Sequence, residues 1–289
     1  MGSRLNEYKC HFFNLTRLIV AKKLLAELHD TFKIAFAKKG VALPNLNPKV
    51  SVIIPTYCEV ETIEGCLKSV VNQNFREGAI ETIVVDSHSP DDTRIVAKKC
   101  ADQVLDLNVR GVGRARNAGA KVANGQILLF LDADTYLETN FVSEMYRNFL
   151  DRRVVCVSGV LKNLERLKPL DRLFAVSHYG FTNKLAEISA RLGFPMFPSV
   201  CCGARKSVFL KAGGFREDIA CAEDIMFSRE MGKLGKCLVN SKATAYTSVR
   251  RISKLGKTEM YSMYFKNYVR LFMLKQKPWV QDFPHINTK

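Results

Sequence analysis

The stretch that decides the fold is Gln126-Ile127-Leu128-Leu129-Phe130-Leu131-Asp132-Ala133-Asp134, an apolar run that ends in two carboxylates. Such a run is typical of a strand that is buried on both faces of a parallel sheet. The two acidic residues then lie just beyond the carboxyl end of the strand, where parallel α/β sheets bind ligands. The stretch therefore predicts a sheet-centred fold with a polar site at the sheet edge.

Around this strand, the sequence alternates between strand and helix patterns. Three further apolar runs predict strands, at 50–55, 82–86 and 103–107. The segments between them predict helices, at 61–73, 91–99 and 113–124. A β-α-β-α-β-α-β order indicates an α/β fold, with a mostly parallel central sheet and helices on both faces. After residue 165 the alternation weakens, and the remaining predictions are helices at 169–191, 206–212 and 223–234 and a strand near 199–204.

The charge of the chain is concentrated at its two ends. The 289 residues carry a formal net charge of +16, of which residues 1–49 contribute +6 and residues 242–289 contribute +8. A basic nucleic-acid-binding protein would more often carry a basic stripe across its main folded face, so we expect no nucleic-acid partner. Basic flanks around a nearly neutral centre fit an anionic membrane surface better. A hydrophobic content of 47% excludes a disordered or fibrous chain.

Both flanks predict amphipathic helices. Residues 11–39 place apolar side chains at helical spacing with lysines on the other face, and residues 257–275 are aromatic and basic. Packing on the domain or on a second copy is the alternative to membrane binding for the first of these helices. The oligomeric state stays open.

No secretory or membrane-spanning segment is expected from the sequence. No stretch approaches 18 uninterrupted apolar residues, and the best apolar run near the start, 18–21, is followed directly by two lysines. The nine cysteines are scattered and form no C-x-x-C pair, which favours reduced thiols in a cytosolic protein. The expected location is therefore cytoplasmic, peripheral at the inner face of the cell membrane.

Polar residues cluster at the predicted carboxyl ends of the strands. Carboxylates there, together with arginines at a glycine-containing helix start, suit a metal-chelated polyphosphate. Mg²⁺ and Mn²⁺ prefer oxygen ligands, and Mg²⁺ sites often use one or two carboxylates plus phosphate oxygens. Arginines add charge-assisted bonds to phosphate, and helix starts add amide dipoles. The candidates are Pro55, Thr56, Tyr57, Glu59, Asp86, Arg114, Arg116, Asp132 and Asp134.

In this order and spacing, the motifs resemble those of glycosyltransferase family 2, enzymes of the GT-A fold that use nucleotide-diphospho-sugars. The matching stretches are 52–59, 83–93, 113–119, 129–134, 203–209, 213–215 and 222–228. The resemblance implies a GT-A glycosyltransferase domain over 50–250, with a nucleotide-binding half at 50–135 and an acceptor half at 136–250. It leaves 1–49 as a basic helix with a linker and 251–289 as a basic aromatic tail.

The resemblance also implies roles for the nucleotide-binding candidates. Pro55, Thr56, Tyr57 and Glu59 would line the nucleoside pocket, and Asp86 would hold the base or the ribose. Arg116, helped by Arg114, would face the nucleotide or its diphosphate.

The same resemblance assigns the metal and the chemical step. Asp132 would lie near the ribose and the metal, and Asp134 would ligate the Mg²⁺ or Mn²⁺ through which the diphosphate binds. Asp224 corresponds to the acid that deprotonates the acceptor hydroxyl in inverting members. If the acceptor is a phosphate, no proton is removed and Asp224 only positions it. Some members carry a histidine ligand after the last short strand, whereas this chain has Ala245-Tyr246-Thr247-Ser248 there.

The function implied is a metal-dependent, inverting glycosyltransferase that moves a sugar from a nucleotide-diphospho-sugar to a lipid-linked or membrane-proximal acceptor. A polyprenyl-phosphate sugar synthase and a soluble glycan-extending enzyme are the alternatives within the class. A nucleotidyltransferase would more naturally carry a glycine-rich, lysine-bearing loop where this chain has Pro55-Thr56-Tyr57.

Overall fold

A computed structural model describes residues 48–165, 168–219 and 222–250, with scattered positions between 256 and 270. The helix predicted at 11–39 lies outside the described residues, and only a few residues of the tail predicted at 257–275 are described.

The described part is a sheet with helices on both faces. Its strands are β1 (Val50–Thr56), β2 (Ile80–Asp86), β3 (Gln103–Asp106), β4 (Ile127–Leu131), β5 (Thr135–Leu137), β6 (Val154–Asn163), β7 (Cys201–Arg205) and β8 (Lys236–Thr247). Its helices are α1 (Ile63–Val71), α2 (Thr93–Ala97), α3 (Val112–Val122), α4 (Phe141–Asn148), α5 (Pro169–Arg191), α6 (Lys206–Lys211) and α7 (Glu223–Leu234).

The strand order in the sheet is β3-β2-β1-β4-β7-β6-β8-β5. The pairs β1–β2, β2–β3, β1–β4 and β6–β8 are parallel, whereas β7 runs antiparallel to both β4 and β6 and β5 runs antiparallel to β8. The mostly parallel sheet is therefore confirmed, with an antiparallel strand at its centre. Thr56 pairs with Asp86 in register, so the ends of β1 and β2 lie side by side.

Side chains alternate between the two faces of the sheet and form two cores. Val52 and Ile54 of β1 pack on the face covered by α1, α2 and α4, while Ile53 packs on the face covered by α3, α6 and α7. Gly119 permits the close approach of α3, because a Cβ at this position would lie 2.5 Å from Cγ2 of Ile53. This packing holds the start of α3 beside the strand ends that carry the polar residues.

The helices predicted at 169–191 and 223–234 are present with the same ends. Four elements were not predicted: β5, α4, β6 and β8. Strand β8 carries polar and exposed residues in its middle, and β6 contains Gly159, so neither shows the continuous apolar pattern of β4. Among the described residues, no helix is both long and apolar enough to cross a membrane.

Candidate active site

The carboxyl ends of β1 and β2 are joined by the buried side chain of Asp86. Thr56 Oγ1 donates to Asp86 Oδ1 at 3.0 Å, and the backbone N–H of Ser89 donates to Asp86 Oδ2 at 2.9 Å. The Ser89 hydroxyl adds a third bond of 2.6 Å to Asp86 Oδ1. Asp86 thus fixes the loop after β2 against β1. A contact between Asp86 and the base or ribose stays a prediction.

Next to the buried side chain of Asp86, Tyr57 and Arg110 form a partly exposed surface. Arg110 was not predicted from the sequence. The guanidinium of Arg110 lies 4.3 Å from the centre of the Tyr57 ring and also donates to the Tyr57 hydroxyl. This stacking presents a flat cation–aromatic pair at the sheet edge. Pro55 lies at the end of β1 and is partly exposed. Arg114 is exposed, with its Nε 3.9 Å from a Glu217 oxygen.

Arg116 lies beneath the site and bridges two acids that are far apart in the chain. Its side chain is 2% exposed, and its two Nη atoms donate to Asp132 Oδ1 and Glu223 Oε1, each at 2.8 Å. The neighbouring carboxylates raise the pKa of Arg116 against the opposing effect of burial, so it remains a fixed cation. Both Nη atoms of Arg116 already donate to protein carboxylates. A direct contact between Arg116 and the diphosphate therefore stays a prediction.

The acidic pair Glu223 and Asp224 opens α7. Ala222 before it has the left-handed φ of 61°, a conformation that alanine rarely adopts and that directs the start of the helix. Asp224 Oδ1 accepts from the N–H of Ile225 at 2.8 Å and its Oδ2 from the N–H of Ser199 at 3.4 Å. Burial raises the pKa of both Glu223 and Asp224, and the charge of Asp224 raises that of Glu223 further.

Asp132 and Asp134 follow β4 with the buried Ala133 between them. Both residues lie in the turn between β4 and β5, where the carboxylate of Asp132 bonds Arg116 and that of Asp134 approaches Arg250. Asp134 Oδ2 lies 3.2 Å from Nη2 of Arg250, and the same nitrogen contacts Glu59, with 2.5 Å to its Oε2. Arg250 follows β8 and was not among the residues selected from the sequence.

Asp132 and Asp134 could hold a divalent ion only if a bound molecule such as a diphosphate supplied further oxygen atoms to the ion. Among the described residues, no group of three or more histidine, cysteine, aspartate or glutamate side chains forms a ready metal cage. Asp132 and Asp134 supply two carboxylates, which suffices for an ion that takes its other oxygens from phosphates and water. The residues present therefore fit Mg²⁺ or Mn²⁺ carried by a diphosphate.

The structure unites four of the ten predicted site residues in two networks. One joins Arg116 to Asp132 and Glu223, and the other joins Glu59 to Asp134 through Arg250. Arg114 belongs to neither network within the described residues. The connecting residues, Glu223 and Arg250, were missed as functional. Glu223 lies in the stretch 222–228 that carries part of the family resemblance, whereas Arg250 carries no local sequence signal.

This combination of a mixed α/β sheet, an Asp-x-Asp pair after its central buried strand and an acidic helix start defines a GT-A glycosyltransferase. The solved structure most useful for comparison is the mannosyltransferase PcManGT from Pyrobaculum calidifontis in complex with GDP-Man and Mn²⁺. It matches with a TM-score of 0.56 at 22% identity, over 80% of this chain and 67% of that chain. At this identity, the likeness shows the fold alone.

The profile of the family described as "Glycosyl transferase family 2" matches residues 51–213, more than half of the chain. The chain belongs to glycosyl transferase family 2, which confirms the resemblance. It is 33% identical over 147 residues to the glycosyltransferase AglE of Haloferax volcanii, covering 47% of this chain and 46% of AglE.

A second relative is WfaP of Escherichia coli, a UDP-Glc:alpha-D-GlcNAc-diphosphoundecaprenol beta-1,3-glucosyltransferase. It is 29% identical over 130 residues, covering 39% of this chain and 51% of WfaP. The chain thus spans about half the length of these two relatives.

Proposed function

We propose that this protein is an inverting, metal-dependent glycosyltransferase that transfers a sugar from a nucleotide-diphospho-sugar to a lipid-linked acceptor. The observation that carries the proposal is the buried Arg116, which ties Asp132 at the proposed donor edge to Glu223, the residue directly before Asp224 in α7. The GDP-Man and Mn²⁺ in PcManGT and the diphosphoundecaprenol acceptor of WfaP support the donor, metal and acceptor classes.

The donor half of the site would position the nucleotide-sugar. The Tyr57–Arg110 pair offers a flat face for the nucleoside, while Asp86 keeps the floor of the pocket rigid. Asp132 and Asp134 would hold the Mg²⁺ or Mn²⁺, which when bound offsets the charge of the leaving nucleoside diphosphate. Arg114, which is exposed, would add a charge-assisted bond to phosphate.

Asp224 is the proposed general base. As the acceptor oxygen bonds to the anomeric carbon, the bond from that carbon to the diphosphate breaks and the acceptor proton passes to the Asp224 carboxylate. Attack on the face opposite the leaving group inverts the configuration. The backbone N–H groups of Ile225 and Ser199 fix the carboxylate, and its raised pKa makes it a stronger base than an ordinary aspartate.

The first test is the Asp134→Asn variant with a panel of nucleotide-sugars in Mg²⁺ or Mn²⁺. The substitution keeps the shape of the side chain but removes the charge needed for the ion, so we expect metal-dependent donor turnover to be lost while the fold survives. Sugar transfer or donor hydrolysis is measured, with thermal unfolding as the check on folding. Asp151→Asn, an exposed acid paired with Arg153, is the matched control and should keep full turnover. Full activity in Asp134→Asn would contradict the metal assignment.

The proposed place of action is the inner face of the cell membrane, reached through an exposed apolar face of α5. Asn183 pins one side of this helix to β6 by two hydrogen bonds with Leu161. The other side exposes large apolar residues, among them Leu173 at 65%, Phe181 at 70% and Leu192 at 63%. Exposed cations accompany them along the helix, at Lys168, Arg172, Lys184 and Arg191. Apolar residues beside cations are the combination that binds an anionic bilayer surface.

We expect the triple substitution Leu173→Ser, Phe181→Ser and Leu192→Ser to reduce binding to anionic vesicles at least about tenfold. Each large apolar side chain that reaches the bilayer contributes about 1.5–3 kcal/mol when fully buried, and serine contributes none of this. Flotation with vesicles of phosphatidylglycerol and phosphatidylcholine measures the effect. Leu150→Ser is the control, since Leu150 is 69% exposed at the end of α4. Equal binding of the triple variant and the control would count against α5 as the membrane face.

A further inference from the structure

Arg250 occupies the space between two acids of the donor site. Its Nη2 atom contacts both Oε atoms of Glu59 and lies 3.2 Å from Asp134 Oδ2. The three side chains are only 20%, 17% and 16% exposed. Arg250 follows β8, Glu59 follows β1 and Asp134 follows β4. Two acids from distant segments of the chain therefore meet at one nitrogen of Arg250.

We propose that Arg250 is an internal counter-ion that competes with the divalent metal for Asp134. In the protein without a donor, its guanidinium neutralises Asp134 and Glu59, and a metal ion must displace it. This inference rests on the proposed metal role of Asp134. It assigns a function to a residue outside the motifs that define the family resemblance.

The competition follows from the charges around Nη2. Two carboxylates that share one cation repel each other once it leaves, and the empty space between them then attracts another cation. An opposite charge at this distance changes a carboxylate's affinity for a proton by about 1–3 pKa units, or about 10- to 1,000-fold. A metal ion at the same oxygen should experience a comparable competition, so metal alone should bind weakly.

The donor diphosphate would resolve this competition. It carries negative oxygens that can accept charge-assisted bonds from a guanidinium displaced from Asp134. Arg250 would then have an alternative partner, and Asp134 would be open to the ion that the diphosphate brings. Metal and nucleotide should therefore bind cooperatively, each favouring the other by the same factor.

The test measures Mn²⁺ binding alone, by the electron paramagnetic resonance signal of free Mn²⁺, without nucleotide or turnover. We expect Arg250→Gln to bind Mn²⁺ about tenfold or more tightly than the unchanged protein, because it removes the competing charge. Arg250→Lys keeps that charge and should stay close to the unchanged protein. Arg153→Gln removes an equal charge from an exposed pair with Asp151 and should change nothing.

Two results would overturn the proposal. One is a folded Arg250→Gln protein whose Mn²⁺ affinity equals that of Arg153→Gln. The other is a gain in affinity that survives in the double variant Arg250→Gln with Asp134→Asn, because the ion would then bind elsewhere. If Arg250→Gln does not fold, the unchanged protein is titrated with Mn²⁺ in the presence and absence of UDP and GDP. Cooperative binding of at least about tenfold is expected, and its absence with both nucleotides would refute the competition.

The outcome separates this inference from the proposed function. Tighter Mn²⁺ binding in Arg250→Gln supports the competition even if no sugar donor in the panel is turned over. Loss of turnover in Asp134→Asn with unchanged Mn²⁺ binding in Arg250→Gln supports the glycosyltransferase and refutes the role of Arg250.

Discussion

The Asp224→Asn variant should lose about 10²- to 10⁴-fold in kcat, the range expected when a positioned general base is removed. Asparagine keeps the size of the side chain, and its amide oxygen can still accept from the N–H groups of Ile225 and Ser199. It cannot take the proton of the acceptor hydroxyl. Steady-state transfer with the donor identified by the panel measures the effect, and the donor KM should change little.

Glu230→Gln provides the matched control, since Glu230 lies on the same helix in an exposed pair with Lys233. It should keep the full rate. A full rate in Asp224→Asn together with a phosphate acceptor would instead favour a polyprenyl-phosphate sugar synthase, because a phosphate acceptor needs no base.

The pH profile of the unchanged protein should agree with this role. A general base works only when it is deprotonated, and burial raises the pKa of Asp224 above its ordinary value of 3.8. The rate should therefore fall on the acid side at a pH higher than an exposed aspartate would give. The residual activity of Asp224→Asn should not show this fall in rate at acidic pH.

The second large effect is on stability. Arg116→Met should lower the free energy of unfolding by about 3–5 kcal/mol, because it leaves Asp132 and Glu223 without their shared buried cation. Urea denaturation followed by circular dichroism measures the loss. Arg114→Met, two positions earlier but exposed, should change stability by less than about 0.5 kcal/mol. The double variant Arg116→Met with Glu223→Gln should recover part of the loss, since fewer buried charges are then unpaired. An unchanged urea midpoint in Arg116→Met would contradict the bridge described here.

The donor half could be predicted from sequence because its signals are local. Strand β4 is a continuous apolar run, and its two carboxylates follow directly, so pattern and position together placed them at the sheet edge. Strands β6 and β8 were not predicted because they mix polar and apolar residues and pair with strands that are distant in sequence, whereas helices α5 and α7 between them were predicted.

The site residues show the same division. Asp132, Asp134 and Asp224 could be selected because each belongs to a short motif next to a predicted strand end or helix start. The partners of the two arginines could not be selected in this way. The Arg116–Glu223 bond spans 107 positions and the Arg250–Glu59 contact spans 191, and periodicity carries no information over such separations.

Those two separations also carry an expectation about folding. Contacts between remote segments carry the entropic cost of closing long loops and tend to form late. The strand that ends in Asp86 pairs with β1 and β3 through local β-α-β units, whereas the bonds to Glu223 and Arg250 need the chain nearly to its described end. A chain in which α7 has not yet formed would present the proposed donor-binding residues without the proposed base, Asp224. Under the proposed roles, sugar transfer therefore requires the described chain to be folded as far as Arg250.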